Sequence, residues 1–220
     1  MLSSVSAEST ARLHEVGSSL RFLDDQISKS GVCVNRDLVA AKGLFFVHLY
    51  SVLEFTVTAT VRETILAINK VALAHADIQP LLLSLALDNH CESLAAVGRN
   101  KSWQKRWELF RQIKTPEPLA INDNILPTDG SNIQYQQLES IWTTFCIREP
   151  VLPDIKLKGR LAEVVEKRNA IAHGREAAGT VGGRFTTADL QQRYSAIDQV
   201  CMYVVQVFTD YLKKEHYRYP

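Results

Sequence analysis

A long apolar stretch in the first half of the chain limits the possible folds more than any other part of the sequence. The run LFFVHLYSVLEF, residues 44–55, is apolar on most faces of a helix. Asn35 or Asp37 can cap this helix, which we predict to run from about residue 37 to the mid-70s. Because such a helix must be covered on most sides, the stretch predicts the central helix of an all-α bundle.

Most of the remaining chain also follows helical spacing. A first helix over about residues 6–29 carries one apolar stripe and ends at Ser30-Gly31. We predict five later helices, at residues 81–97, 103–113, 135–147, 157–173 and 187–215, the last capped by Thr187. The segment GTVGG, residues 179–183, reads as a turn, and evidence for strands is thin.

The helical pattern breaks over residues 115–132. Pro116, Pro118, Pro127 and Gly130 stand there among Asn and Asp residues, which predicts a long loop. A loop of this length is usually functional or mobile. We therefore predict a single helical domain over residues 1–220, a bundle with one long central helix and a long inter-helix loop.

Composition excludes few partners and points to a cytoplasmic protein. The net charge of +1 argues neither for nor against nucleic acid. The cysteines lie far apart with no C-x-x-C pair, so we expect buried free thiols and no zinc cluster; they are Cys33, Cys91, Cys146 and Cys201. The N-terminus does not resemble a secretory signal, and we expect no membrane-spanning segment.

The string EKRNAIAHGRE, residues 166–176, admits two interpretations. A basic residue near a helix C-terminus is favoured by the helix dipole, and Gly174 suits a left-handed C-cap, so the string can be a well-made helix end. The second interpretation is a catalytic site. Arg168, a polar residue, three small or aliphatic residues, His173 and a glycine occur together at the end of a predicted helix.

That string resembles the signature of the HEPN superfamily (higher eukaryotes and prokaryotes nucleotide-binding domains). RNase members of that superfamily carry an arginine, four to six residues and a histidine, often as R-N-x-x-x-H, which Arg168, Asn169 and His173 match. The resemblance implies a metal-independent endoribonuclease without a cofactor, leaving 2′,3′-cyclic phosphate and 5′-hydroxyl ends on its RNA substrate. It also implies a homodimer with two motifs in one cleft, a toxin or antiphage-defence role, and possible control by an antitoxin or another regulatory protein.

The residue types suit that chemistry. Histidine can move protons near neutral pH, and the planar arginine fork fits phosphate oxygens. Arg168 and His173 lie about 140° apart around a helix, whereas Asn169 and His173 share a face. We therefore predict that Arg168 holds the scissile phosphate, His173 moves protons and Asn169 orients the imidazole ring.

Three further residues are candidates for substrate binding. Some HEPN toxins carry a tyrosine two residues after the histidine, where a partner attaches nucleotides; this chain has Arg175 there, so that switch is not expected. Arg175 and Lys167 place positive charge around the motif. Glu54, in an apolar stretch, is either structurally paired or part of the site, contacting Arg168.

A basic and aromatic segment is the other candidate surface. Trp103, Trp107 and Phe110 share a helical stripe, which we interpret as core, and the basic residues around them as a solvated face. Those basic residues are Arg99, Lys101, Lys105, Arg106 and Arg111. A phosphate track or a stacking platform for single-stranded RNA is the alternative.

Two other functions stay open for the whole domain. It can be a non-catalytic helical module that binds RNA, nucleotide or protein, or a scaffold in which the motif only caps a helix. His48, His75 and His90 have no metal-ligand spacing, and we interpret them as structural.

Overall fold

The computed structural model describes residues 2–29, 35–98, 101–128 and 132–220, and within these ranges the fold is all-α. Two isolated β-bridges are the only extended pairings there. The nine described helices are α1 (Ser3–Lys29), α2 (Arg36–Asn69), α3 (Leu83–Ala86), α4 (Asp88–Ala96), α5 (Ser102–Gln112), α6 (Tyr135–Thr144), α7 (Leu157–Ala172), α8 (Ala178–Gly182) and α9 (Thr187–Lys213).

The long apolar helix is central, as predicted. Helix α2 packs against α1, α7, α8 and α9, and its buried residues run from Gly43 to Ile68. The side chain of Asn35 accepts a hydrogen bond from the Asp37 N–H at 2.9 Å, which makes Asn35 the N-cap. By length and composition α2 could also cross a membrane, but 56% of its most apolar window is buried inside the bundle, as in an ordinary core helix.

Several predicted helix boundaries were wrong, among them the start of α1, at Ser3 and not at about residue 6, and the end of α6, at Thr144 and not at residue 147. Helix α2 ends at Asn69, whose side chain pairs with both backbone groups of Ile121 at 2.8 and 2.9 Å. The single helix predicted over residues 81–97 breaks at Leu87, because a straight helix would point Leu87 away from the face that buries Leu82. The N-cap of the last helix is Thr186, one residue before the predicted one, in a reciprocal capping box with an aspartate. The proposed helix end at Ser30-Gly31 lies outside the described residues.

The segment predicted as a glycine-rich turn contains the short helix α8, which lies unusually close to α2. A Cβ atom added at Gly43 would overlap the backbone carbonyl of Ala178, and one added at Gly182 would overlap the carbonyl of Val39. Both glycines are therefore required by backbone-to-backbone contact. This contact fixes the chain that follows the candidate motif against the central helix.

The long inter-helix loop packs back along α2. The Leu119 N–H donates to the Leu73 carbonyl at 2.6 Å, and Asp123 pairs with Arg62 at 2.9 Å. Leu119 and Ile133 are buried in the core. The described parts of the loop are therefore held along the central helix, up to the point where α6 begins; residues 129–131 lie outside the described ranges.

Helix α5 contradicts the prediction that its aromatic stripe is core. Trp103, Trp107 and Phe110 are 61%, 56% and 66% exposed, and no residue of α5 is buried. Its packing partner is α4, which has no buried residue either. The two helices form an outlying pair, so an amphipathic stripe there faces away from the core. Arg99, at the start of the basic segment, lies outside the described residues.

The cysteines are less uniformly buried than expected. Cys201 is fully buried, and burial raises the pKa of its thiol to about 12. Cys146 is half-buried and Cys91 is exposed, and both are free thiols. Cys33 lies outside the described residues.

Candidate functional site

The motif lies where helix α7 ends, with the glycine in its predicted role. His173 is the C-cap of α7, and Gly174 has a φ of 69°, in the left-handed region that favours glycine. The Glu176 N–H then donates to the Ala170 carbonyl at 3.0 Å, which folds the chain back over the helix end. The backbone thus presents His173 at a sharp turn, and its side chain is exposed.

Arg168 is held against the central helix by three contacts. Its guanidinium carbon lies 4.4 Å from the centroid of the Tyr50 ring, within the range of a cation–π interaction. Its Nη1 atom donates to Oδ1 of Asn132 at 3.0 Å and to Oδ1 of Asn169 at 2.8 Å. The ring face of Tyr50 and the amide oxygens of Asn132 and Asn169 orient the guanidinium without neutralising its charge.

One edge of the Arg168 guanidinium has no protein partner among the described residues. Its hydrogen bonds all leave from Nη1, so Nε and Nη2 remain available. In Arg193 the same two nitrogens hold both carboxylate oxygens of Glu163, at 2.9 and 3.0 Å. The Nε–Nη2 edge is the geometry that binds carboxylate or phosphate with two parallel hydrogen bonds. Arg168 is therefore held in one orientation, with its Nε–Nη2 edge available to an anion that has two adjacent oxygens.

Tyr50 ties this arginine to the core. Its ring is 1% exposed; its hydroxyl accepts the Ile133 N–H at 2.9 Å and donates to Oε1 of Glu54 at 3.4 Å. Burial raises the pKa of Tyr50 and the Glu54 carboxylate adds to this, while the Ile133 N–H and the Arg168 charge act in the opposite direction. The hydroxyl thus stays neutral, and Glu54 reaches Arg168 only through it.

The side chain of Asn169 has a different hydrogen-bond partner from the predicted one. Asn169 was expected to orient the imidazole of His173, but its side-chain oxygen accepts from Arg168. The described residues provide no hydrogen bond to the imidazole, and Asn169 meets His173 through the backbone, its carbonyl accepting the His173 N–H at 3.0 Å. The side chain of Asn169 thus contacts the arginine and not the imidazole.

The two other basic candidates, Arg175 and Lys167, lie beside the motif residues in the sequence. Arg175 is exposed, directly after Gly174. Lys167 is mostly covered and pairs with its neighbour Glu166 at 2.7 Å, which reduces its availability for phosphate. The structure therefore places positive charge beside the motif mainly through Arg168 and Arg175.

The segment that follows the motif has one ion pair within itself and one hydrogen bond to helix α2. Arg184 forms an ion pair with Glu176, and Lys42 of α2 donates to the Phe185 carbonyl at 2.6 Å. Burial lowers the pKa of Lys42, with Asp189 opposing that shift. Together with the close packing of α8 on α2, these contacts hold the turn that carries His173.

Two residues that contact Arg168 escaped the sequence analysis. Tyr50 lies one helical turn before Glu54 in the apolar run, so its position next to a suspected site residue was the available signal. Asn132 ends the long loop, and only the path of that loop along α2 brings it to α7. In the described part of the chain, no group of three or more His, Cys, Asp or Glu side chains could hold a metal ion.

The fold is an all-α bundle that presents Arg168 and His173 at the end of one helix, beside a long central helix. This combination is typical of a known class of protein domain. A family model described as MAE_28990-like HEPN matches residues 1–217, and the chain therefore belongs to the HEPN family. HEPN domains are often RNases. Neither a curated protein nor a solved structure matched the chain significantly.

Proposed function

We propose that the protein is a metal-independent endoribonuclease. The observation that supports this most strongly is the oriented guanidinium of Arg168, whose Nε–Nη2 edge is left open by the described residues, five positions before the exposed His173. An arginine fork complements the phosphoryl oxygens on which negative charge grows during RNA cleavage. An exposed imidazole without a hydrogen-bond partner in the described structure is available for proton transfer.

The proposed reaction is transesterification within the RNA. The imidazole of His173 accepts the proton of a ribose 2′-hydroxyl, and the 2′-oxygen forms a bond to the adjacent phosphorus. The bond from phosphorus to the 5′-oxygen breaks, and that oxygen takes a proton from an imidazolium. The products are a 2′,3′-cyclic phosphate and a 5′-hydroxyl. Arg168 binds the phosphoryl oxygens throughout, more strongly as their charge increases.

The proposed active form is a homodimer. One motif supplies a single imidazole, whereas the reaction removes one proton and delivers another at opposite sides of the phosphorus. Two motifs in one cleft would supply a base, an acid and two guanidinium groups. Adding His173→Ala protein to wild type, with subunit exchange, should then lower the activity by more than the fraction of subunits replaced, because a mixed dimer holds only one of the two imidazoles. A loss in proportion to the subunits replaced would mean that each motif works alone.

The decisive experiment is cleavage of a labelled mixed-sequence RNA in EDTA, with identification of the product ends. Wild type should give fragments ending in cyclic phosphate, and Arg168→Ala and His173→Ala should give none. Matched controls are Arg148→Ala and His14→Ala, which remove exposed residues of the same types elsewhere and should cut like wild type. Cleavage by the motif variants at the wild-type rate would refute the proposal.

RNA bound but not cut by folded wild type would favour the non-catalytic binding module. The toxin or antiphage role, the cytoplasmic location and a controlling antitoxin or regulatory protein are proposed on family resemblance alone. Expression in a bacterial host tests the first of these: wild type should arrest growth, and His173→Ala should not.

A further inference from the structure

Helix α5 displays an aromatic face that the described structure leaves uncovered. Trp103, Trp107 and Phe110 are spaced as i, i+4 and i+7, so their rings lie within about 60° of one another around the helix. Each of the three residues is more than half exposed. Along the helix axis they span roughly 10 Å at 1.5 Å per residue, enough for a stack of about three bases at 3.4 Å spacing. We call these three residues the α5 aromatic face.

The α5 aromatic face is flanked by cationic groups on both sides. Arg106 lies to one side, with its guanidinium carbon 5.0 Å from the Trp103 ring centroid. Arg111 lies to the other side and is exposed. Neither arginine forms an ion pair within the described ranges of the chain. The flanks of the face are therefore positively charged.

The one carboxylate of α5 does not offset these charges. Glu108 lies on the far side of the helix, where it pairs with Lys105 at 2.6 Å. That lysine lowers the pKa of Glu108. The pair neutralises itself and leaves Arg106, Arg111 and the exposed Lys101 and Lys114 as the net charge of the segment.

From this arrangement we propose that the α5 aromatic face binds single-stranded RNA, outside the Arg168–His173 motif. Bases stack on aromatic rings irrespective of sequence, and arginines beside the rings bind the phosphates between those bases. Charge complementarity favours this occupant over a second copy of the chain. A two-fold contact through this face would bring Arg106 and Arg111 of two chains together without a carboxylate between them.

The choice of RNA over DNA rests on the proposed nuclease function; the binding of a single strand rests on α5 itself. A strand held here would keep the RNA on the protein without taking part in the chemistry. Binding should weaken as salt increases, because phosphate contacts release counterions.

The test is intrinsic fluorescence of the full-length His173→Ala protein, titrated with a short oligouridine. The chain has three tryptophans, and Trp142 is 3% exposed, so stacking on α5 should quench the emission of the other two. Replacing both Trp103 and Trp107 by Ala should weaken binding at least about tenfold, measured with labelled RNA by anisotropy. Arg106→Gln/Arg111→Gln should weaken binding and reduce its salt dependence.

A matched control is Phe22→Ala, which removes an equally exposed aromatic ring, 61% accessible, from α1 and should leave binding unchanged. Unaltered affinity in the double tryptophan variant would overturn the inference. So would a change of oligomeric state in that variant, seen by light scattering, or stronger quenching by anionic lipid vesicles than by RNA. Because binding is measured without cleavage, this result stands apart from the outcome of the nuclease assay.

Discussion

The guanidinium of Arg168 stacks on the buried ring of Tyr50, at 4.4 Å from its centroid. This contact joins the end of α7 to the middle of α2, so the candidate phosphate-binding residue rests on the central helix of the bundle. A side chain placed in this way loses less conformational entropy when an anion arrives. The core helix thus serves as the support of the site.

The first prediction distinguishes the role of the Tyr50 ring from the role of its hydroxyl. Tyr50→Phe keeps the stack on Arg168 but leaves the Ile133 N–H without its partner, so the free energy of unfolding should fall by about 1–3 kcal/mol. Cleavage at a temperature where the variant is folded should change little. Tyr50→Leu should lower cleavage as well, because the guanidinium loses its aromatic support. Urea denaturation and single-turnover cleavage measure the two effects; equal cleavage by both variants would contradict a role for the stack.

A second prediction concerns the fork of Arg168. Arg168→Lys keeps the charge but cannot bind two phosphate oxygens side by side, and its cleavage rate should fall by about 10²-fold. Folding should be nearly unaffected, because the hydrogen bonds to Asn132 and Asn169 are partly exposed. Arg148→Lys is the matched control at an exposed site. A fully active lysine variant would show that only the charge matters.

Two alanine substitutions at helical glycines should have opposite effects. Gly43→Ala forces α8 away from α2, and overpacking of this kind costs about 1–3 kcal/mol. Gly159→Ala in α7 meets nothing within 4 Å and should stabilise the protein by about 0.5–1 kcal/mol. Thermal unfolding measures both. Cleavage should fall in Gly43→Ala alone, because α8 holds the turn that carries His173. Equal stability changes in the two variants would argue against the close contact between α2 and α8.

The last prediction is a pH dependence of stability from His75. Burial lowers the pKa of this imidazole, and the nearby His90 lowers it further, against an opposing effect of Glu117. The unfolded chain therefore binds a proton more readily than the folded one. The stability that comes from keeping His75 neutral is fully present above the ordinary histidine pKa of about 6.5. It is lost as pH falls from there toward the lowered pKa of the folded state.

Urea denaturation at about pH 7.5 and about pH 5.5 tests this dependence. His75→Phe should lose less stability between the two conditions than wild type, because it has no imidazole to protonate. The Nδ1 atom of His75 is buried and has no hydrogen-bond partner among the described residues, so an apolar ring of similar size is a suitable replacement. An identical loss in both proteins would show that His75 does not carry the effect.

Features that depend on local spacing could be predicted from the sequence. The apolar run in residues 44–55 required a covered helix, and α2 is indeed the centre of the bundle. Gly174 marked a helix end because few other residues adopt a positive φ there. The string from Arg168 to Gly174 pointed to the HEPN family, which the match over residues 1–217 confirms. Their catalytic roles stay predictions.

Which partners meet, and which faces stay uncovered, depends on contacts between distant parts of the chain. Asn132 reaches Arg168 because the loop follows α2, a path set by contacts far apart in sequence. The stripe on α5 has the same periodicity as a buried stripe, yet its rings face outward because α5 packs on α4 at the edge of the bundle. Hydrophobic periodicity reports that a helix has an apolar face; whether that face meets the core depends on where the rest of the chain leaves room.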